Sequence, residues 1–139
     1  MIAGLGIDSV EIARFASWHT YSDEQLSRFF APHEIAYCRS IPAKMAERFA
    51  VRFAAKEALL KALSHLGPVK PIALLTMARA ASLSHNAAGA PTLLIDWQTL
   101  EKSYFPKLDI PYQSLVSLTH TSTTATACII LQKPTLNKH

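Results

Sequence analysis

The sequence predicts an α+β fold: a single small domain in which an antiparallel sheet packs on one long and several short helices. Three observations carry that expectation. The chain has 139 residues, half of them hydrophobic, enough for one core and too few for two ordinary domains. Between Ala43 and Leu66, Phe49, Phe53 and Leu60 recur with Ala46, Ala50 and Ala54 at helical spacing, marking the core face of a long helix. Both ends of the chain carry short runs of alternating or β-branched residues, as strands do.

Taken in order, Ile2–Ile7 reads as the first strand, with bulky Ile2, Leu5 and Ile7 between small residues. Asp8 falls at its end, where a side chain can face a cleft. Val10–Ser17 reads as a short helix that sets Glu11 and Arg14 three residues apart. Ser22-Asp23-Glu24-Gln25 matches a capping box and starts a helix running to Phe30. Pro32-His33-Glu34 opens another, because proline suits a first turn. Gly67-Pro68 stops the long helix: glycine relieves the terminal conformation and proline forbids continuation. Leu74–Ser84 is ambiguous, its alanines and leucines favouring helix. Gly89-Ala90-Pro91 is a turn into a strand at Thr92–Ile95, and Asp96 caps a helix over Trp97–Tyr104. Strands at Ser114–Thr119 and Thr124–Leu131 close the domain, joined by a Thr-Ser-Thr hairpin. Residues 132–139, with Pro134, form a tail outside a domain of residues 1–131.

The formal charge of +4 suits acidic proteins or phosphorylated ligands. No Lys/Arg cluster or aromatic–basic motif points to nucleic acid. Cys38 and Cys128, two thiols far apart, fit reduced buried cysteines better than a secreted scaffold. The first apolar run breaks at Asp8, too short for a signal peptide or membrane span, so a cytoplasmic protein is expected. The histidines lack zinc-like spacing, and Gly4-x-Gly6 lacks the third glycine of a dinucleotide loop, with Ser9 in its place.

Phe53-Ala54-Ala55-Lys56-Glu57-Ala58-Leu59-Leu60-Lys61 carries the chemistry. Glu57 and Lys61 share a helix face, with Phe53 one turn earlier. A carboxylate and a lysine so placed suit a site for phosphates and a divalent metal; alone, they equally suit a solvated ion pair. Two further segments decide between these: Gly6-Ile7-Asp8 followed by Glu11 and Arg14, and Ser117-Leu118-Thr119-His120-Thr121. The three together, in order from Met1 to Leu131, resemble the 4′-phosphopantetheinyl transferases, specifically the short holo-[acyl-carrier-protein] synthases. The pattern of that family is Gly-x-Asp with Glu and Arg following, Phe-x-x-Lys-Glu-Ala-x-x-Lys, and Ser-x-(Ser/Thr)-His.

The resemblance implies transfer of 4′-phosphopantetheine from coenzyme A to a serine of apo-acyl carrier protein, with Mg²⁺ as cofactor and adenosine 3′,5′-bisphosphate as product. It implies Asp8 and Glu57 as metal ligands, and Asp8, Glu57, Lys61 and His120 as catalytic residues. Arg52, Lys61, Gly89, Pro91, His120 and Thr121 would contact coenzyme A, and Arg14 and Trp18 the acidic carrier protein. Trp18 reads equally as core, Gly89 and Pro91 as a turn, Arg52 as a surface arginine, and Asp8 as a helix cap. Lys56 is either in a structural ion pair or in contact with the far end of coenzyme A. The general base stays open between His120, Glu57 and a metal-bound water. The resemblance implies a strand over Leu74–Ser84, which is therefore expected as strand, and an active site shared between subunits of a homotrimer.

Two departures stand out. The family follows its motif lysine with a glycine loop, Gly-Thr-Gly, where this chain has Ala62-Leu63-Ser64-His65-Leu66-Gly67-Pro68. His65 or Lys70 would then serve as substitute cofactor ligands. Ala90 stands where the Gly-x-Pro turn often carries a lysine or arginine. The alternative function is a non-catalytic protein of the same fold that binds coenzyme A or acyl carrier protein without turnover.

Overall fold

A computed structural model describes residues 1–109 and 111–135. It has the expected α+β class, but the strands form two antiparallel sheets. The first is three-stranded, β1 (Ile2–Glu11), β5 (Thr124–Gln132) and β4 (Gln113–His120), in the order β1-β5-β4. The second pairs β2 (Ala81–His85) with β3 (Pro91–Ile95). The helices are α1 (Asp23–Leu26), α2 (Pro32–Arg39), α3 (Met45–Ser64), α4 (Leu74–Ala80) and α5 (Trp97–Tyr104).

The long helix α3 is the organising element. Phe49, Ala50, Ala54, Ala58, Leu59, Ala62 and Leu63 are wholly buried, and the helix lies across β1 and β5. Glycine makes the contact with β1 possible: a Cβ on Gly6 would sit 1.8 Å from the Ala58 carbonyl oxygen, and one on Gly4 2.4 Å from that of Ala62. Opposite α3, the inner positions of β5 are Ala125, Ala127, Ile129 and Leu131, all buried. β1 thus lies tight against the C-terminal half of α3, and Asp8, two residues beyond Gly6, shares that inner face.

Several expectations are corrected. β1 runs four residues past Ile7, because pairing with β5 continues to Glu11↔Thr124; Asp8 lies inside the strand. Of the expected helix at Val10–Ser17, Val10 and Glu11 belong to β1 and Ile12–Phe15 is a 3-10 turn; a second turn, Trp18–Thr20, follows it. Ile12 N–H donates to Thr123 O at 2.8 Å, carrying the sheet contact into the turn. The Ser22–Gln25 capping box forms, but α1 stops at Leu26 as Phe29 and Phe30 turn into the core. Leu74–Ser84 is divided: α4 takes the alanine-containing first part, and only Ala81 onward is strand. Asp96 caps α5 as expected, accepting from Thr99 N–H at 3.1 Å. Gln132 belongs to β5, one residue past the expected strand end, and Lys133 N–H donates to Met1 O at 3.1 Å; residues 136–139 of the expected tail lie outside the described residues. Among the described residues no helix is long and apolar enough to cross a membrane.

Candidate active site

Asp8 and Glu57 meet at the crossing of β1 and α3. The Lys61 ammonium donates to Asp8 Oδ1 at 3.1 Å and to the Ile7 carbonyl at 2.9 Å. Asp8 Oδ2 is buried and has no hydrogen-bond partner. Burial pushes the Glu57 carboxyl above the usual glutamate range, the negative charge of Asp8 adds to that rise, and Lys61 and Arg14 oppose it. An unfilled carboxylate oxygen beside a second carboxylate that resists ionising is a donor set suited to a hard divalent cation. Among the described residues no cluster of three or more Asp, Glu, His or Cys surrounds it. Two carboxylates are what a hard cation such as Mg²⁺ takes from a protein when its other ligands are phosphates and water.

The second group of expected residues lies elsewhere. His120 ends β4 and is half-exposed; its Nε2 lies 3.2 Å from Glu47 Oε1 on the first turn of α3. Glu47 and Glu57 are ten residues apart on the helix, about 15 Å along its axis. Within one chain, then, His120 does not join the Asp8–Glu57–Lys61 group. It lines a cavity of about 230 Å³ with Lys44, Arg48, Arg52, Tyr37 and His85. Arg52, expected as a surface residue or phosphate ligand, is 3 % exposed, and its Nε has no partner. Arg48 and Arg52 stack on Tyr37, their guanidinium carbons 4.0 and 4.2 Å from the ring centroid. Glu47 lines the same cavity through its pairing with His120, and Arg52 Nη1 donates to Arg48 O at 3.4 Å; a buried guanidinium with a free Nε, beside a second arginine and two histidines, is suited to receiving an anion.

Lys56 is the structural ion pair. Its ammonium is buried and donates to Glu34 Oε1 at 2.8 Å, Phe29 O at 2.7 Å and Ala78 O at 3.0 Å. It therefore has no donor left for the far end of coenzyme A. The Arg14 guanidinium lies 4.7 Å from the Phe53 ring centroid, exposed on the Glu57 side of α3. Trp18 is half-buried, 4.4 Å from Phe15 and 5.7 Å from Phe49 between ring centroids, so most of its ring packs at the core's edge. Thr121 Oγ1 accepts from the N–H groups of Thr123 and Thr124 and shapes the hairpin. Gly89 takes φ +82° in its turn, and Pro91 lines a larger groove between the two sheets with Trp97 and Tyr112. Lys70 lies 5.6 Å from the centroid of Tyr104, and His65 Nδ1 accepts from Leu5 N–H.

Glu47, Arg48, Tyr37 and His85 had no place in the sequence reading. Arg48 and Arg52 share a helix face four residues apart, a signal that was present; nothing in the sequence brings Tyr37 and His85 to them.

The family model of the 4′-phosphopantetheinyl transferase superfamily matches residues 4–125. The chain belongs to that superfamily. Within it, the chain is 36% identical over 136 residues to the holo-[acyl-carrier-protein] synthase of Anaeromyxobacter sp. (strain K), covering 95% of this chain and 97% of that protein. It is 53% identical to the holo-[acyl-carrier-protein] synthase of Koribacter versatilis over 64 residues, 45% of this chain and half the length of that protein. The crystal structure of Helicobacter pylori holo-[acyl-carrier-protein] synthase in complex with coenzyme A superposes with a TM-score of 0.67 at 27% identity, over 92% of this chain and 99% of that one.

Proposed function

We propose that this chain is a holo-[acyl-carrier-protein] synthase: it transfers 4′-phosphopantetheine from coenzyme A to a serine hydroxyl of apo-acyl carrier protein and releases adenosine 3′,5′-bisphosphate. The observation that carries this reading is the buried, unpartnered Asp8 Oδ2 beside Glu57, on the two motif positions of the superfamily. The serine oxygen forms the new bond to the pantetheine-side phosphorus as the bond to the leaving phosphate breaks. Asp8 and Glu57 would hold Mg²⁺, which supplies neutralisation of the pyrophosphate charge. Lys61, held beside Asp8, offsets charge that builds on the transferring phosphate.

Arg52, His120 and Thr121 form the phosphate end of the coenzyme A site, with the Gly89–Pro91 turn as its wall. The carboxylates and the His120 end of the cavity lie apart in one chain, which supports the site shared between neighbouring subunits of a homotrimer that the family resemblance implies. The exposed apolar side chains Ile2, Leu5, Ile7 and Leu115 on the outer sheet face support self-association. Exposed Arg14, with the accessible edge of Trp18, is the surface for an acidic carrier, which matches the charge of +4. The setting is cytoplasmic. The test is chromatographic detection of adenosine 3′,5′-bisphosphate from coenzyme A, apo-acyl carrier protein and Mg²⁺. Release only when all three are present supports the transferase; tight coenzyme A binding without release would establish a non-catalytic binder instead.

A further inference from the structure

We propose that His65 is a positioning residue of the Asp8–Lys61 site, fastening the open edge of β1 to the last turn of α3. The proposal rests on the transfer reaction above. In the order β1-β5-β4, β1 is an edge strand, and one side of it has no strand partner among the described residues. Two side chains from the end of α3 meet the backbone groups on that side. Lys61 Nζ donates to Ile7 O at 2.9 Å, and His65 Nδ1 accepts from Leu5 N–H at 3.1 Å. Residues 61 and 65 are one helical turn apart on one face, and residues 5 and 7 present their main-chain groups to the same strand edge. The two contacts form a clamp. It fixes the crossing at which Lys61 Nζ reaches Asp8 Oδ1.

The contact also sets the chemistry of the ring. A neutral imidazole accepts at one nitrogen and donates from the other, so acceptance at Nδ1 places the proton on Nε2. Local bonding supports the placement: Ser64 Oγ donates to Lys61 O at 2.6 Å, and His65 N–H donates to Ala62 O at 3.2 Å. Where the resemblance leads one to expect a glycine loop, the helix is instead closed and tied to the strand. His65 is exposed, so removing its ring leaves the core intact.

The test compares His65→Ala and His65→Asn with the wild type. The Asn Oδ1 can occupy the place of Nδ1. His65→Ala is expected to lower kcat about tenfold with KM for coenzyme A changed less than about twofold, and His65→Asn to recover most of the loss. Nitrogen NMR of the wild type should show the Nε2–H tautomer, and Leu5 amide exchange should accelerate about tenfold in His65→Ala. Unchanged kcat in His65→Ala, a loss that His65→Asn does not repair, or an Nδ1–H tautomer would each overturn the proposal. A wild type that transfers nothing would remove the reaction and the positioning role together, while tautomer and Leu5 exchange still judge the clamp.

Discussion

Glu57 shows at the residue scale how the proposed cation site differs from a surface ion pair. Its folded-state pKa is raised, first by burial and then by Asp8, so the folded protein binds its proton more tightly than the unfolded chain. Stability from this group is present below the ordinary glutamate value and is lost as pH rises through the raised one. Without metal, Glu57→Gln should therefore raise the thermal midpoint at pH 7 and flatten its decline between pH 4.5 and 7. Mg²⁺ should raise the midpoint of the wild type and leave that of Glu57→Gln unmoved. A differential scanning series with and without Mg²⁺ measures both. The pairing of Asp8, Glu57 and Lys61 was legible because all three sit in short motifs. The burial of Arg52 and the partner of Lys56 were not, since Tyr37 and Glu34 arrive from a different helix, α2.

At the scale of elements, the neighbouring Lys56 shows how adjacent residues of one helix divide their work. Burial draws its pKa below the usual lysine range, and Glu34 opposes that fall. The pair ties α3 to α2, to the turn after α1, to the end of α4 and, through Leu83 N–H donating to Glu34 Oε2 at 3.1 Å, to β2. Lys56→Met leaves the Glu34 carboxylate buried without its cation and should cost about 3–5 kcal/mol in urea unfolding. Adding Glu34→Gln should return part of this, because the amide oxygen still accepts from the backbone. Elements with strong local chemistry were read well: α3 from its periodicity, α2 from its proline, α5 from its Asp96 cap. Those set by pairing were misjudged. The polar look of Asp8-Ser9 hid a strand that β5 extends to Glu11, and α4 and β2 meet at Ala80–Ala81, inside a stretch of uniform composition.

In the whole molecule, the Asp8–Glu57 carboxylates and the Glu47–His120 pair lie at different turns of α3, and the outer face of the β1-β5-β4 sheet has an apolar centre between the polar Ser9–Thr126 and Gln113–Gln132 pairs. Register places Leu5, Ile130 and Leu115 in one row and Ile7, Cys128 and Ser117 in the next. A trimer that buries this face and completes each site from two subunits predicts complementation. Inactive Glu57→Gln and His120→Ala chains, unfolded and refolded together, should recover a fraction of wild-type activity, and neither should recover alone. The most direct measurement is mass spectrometry of apo-acyl carrier protein after incubation with this protein, coenzyme A and Mg²⁺, beside Glu57→Ala and an EDTA control. A gain of one phosphopantetheine with the wild type, and none with the variant or the chelator, is the predicted result. A full gain with Glu57→Ala, or in EDTA, would contradict the assignment of the Asp8–Glu57 pair as the metal-binding centre of the transfer.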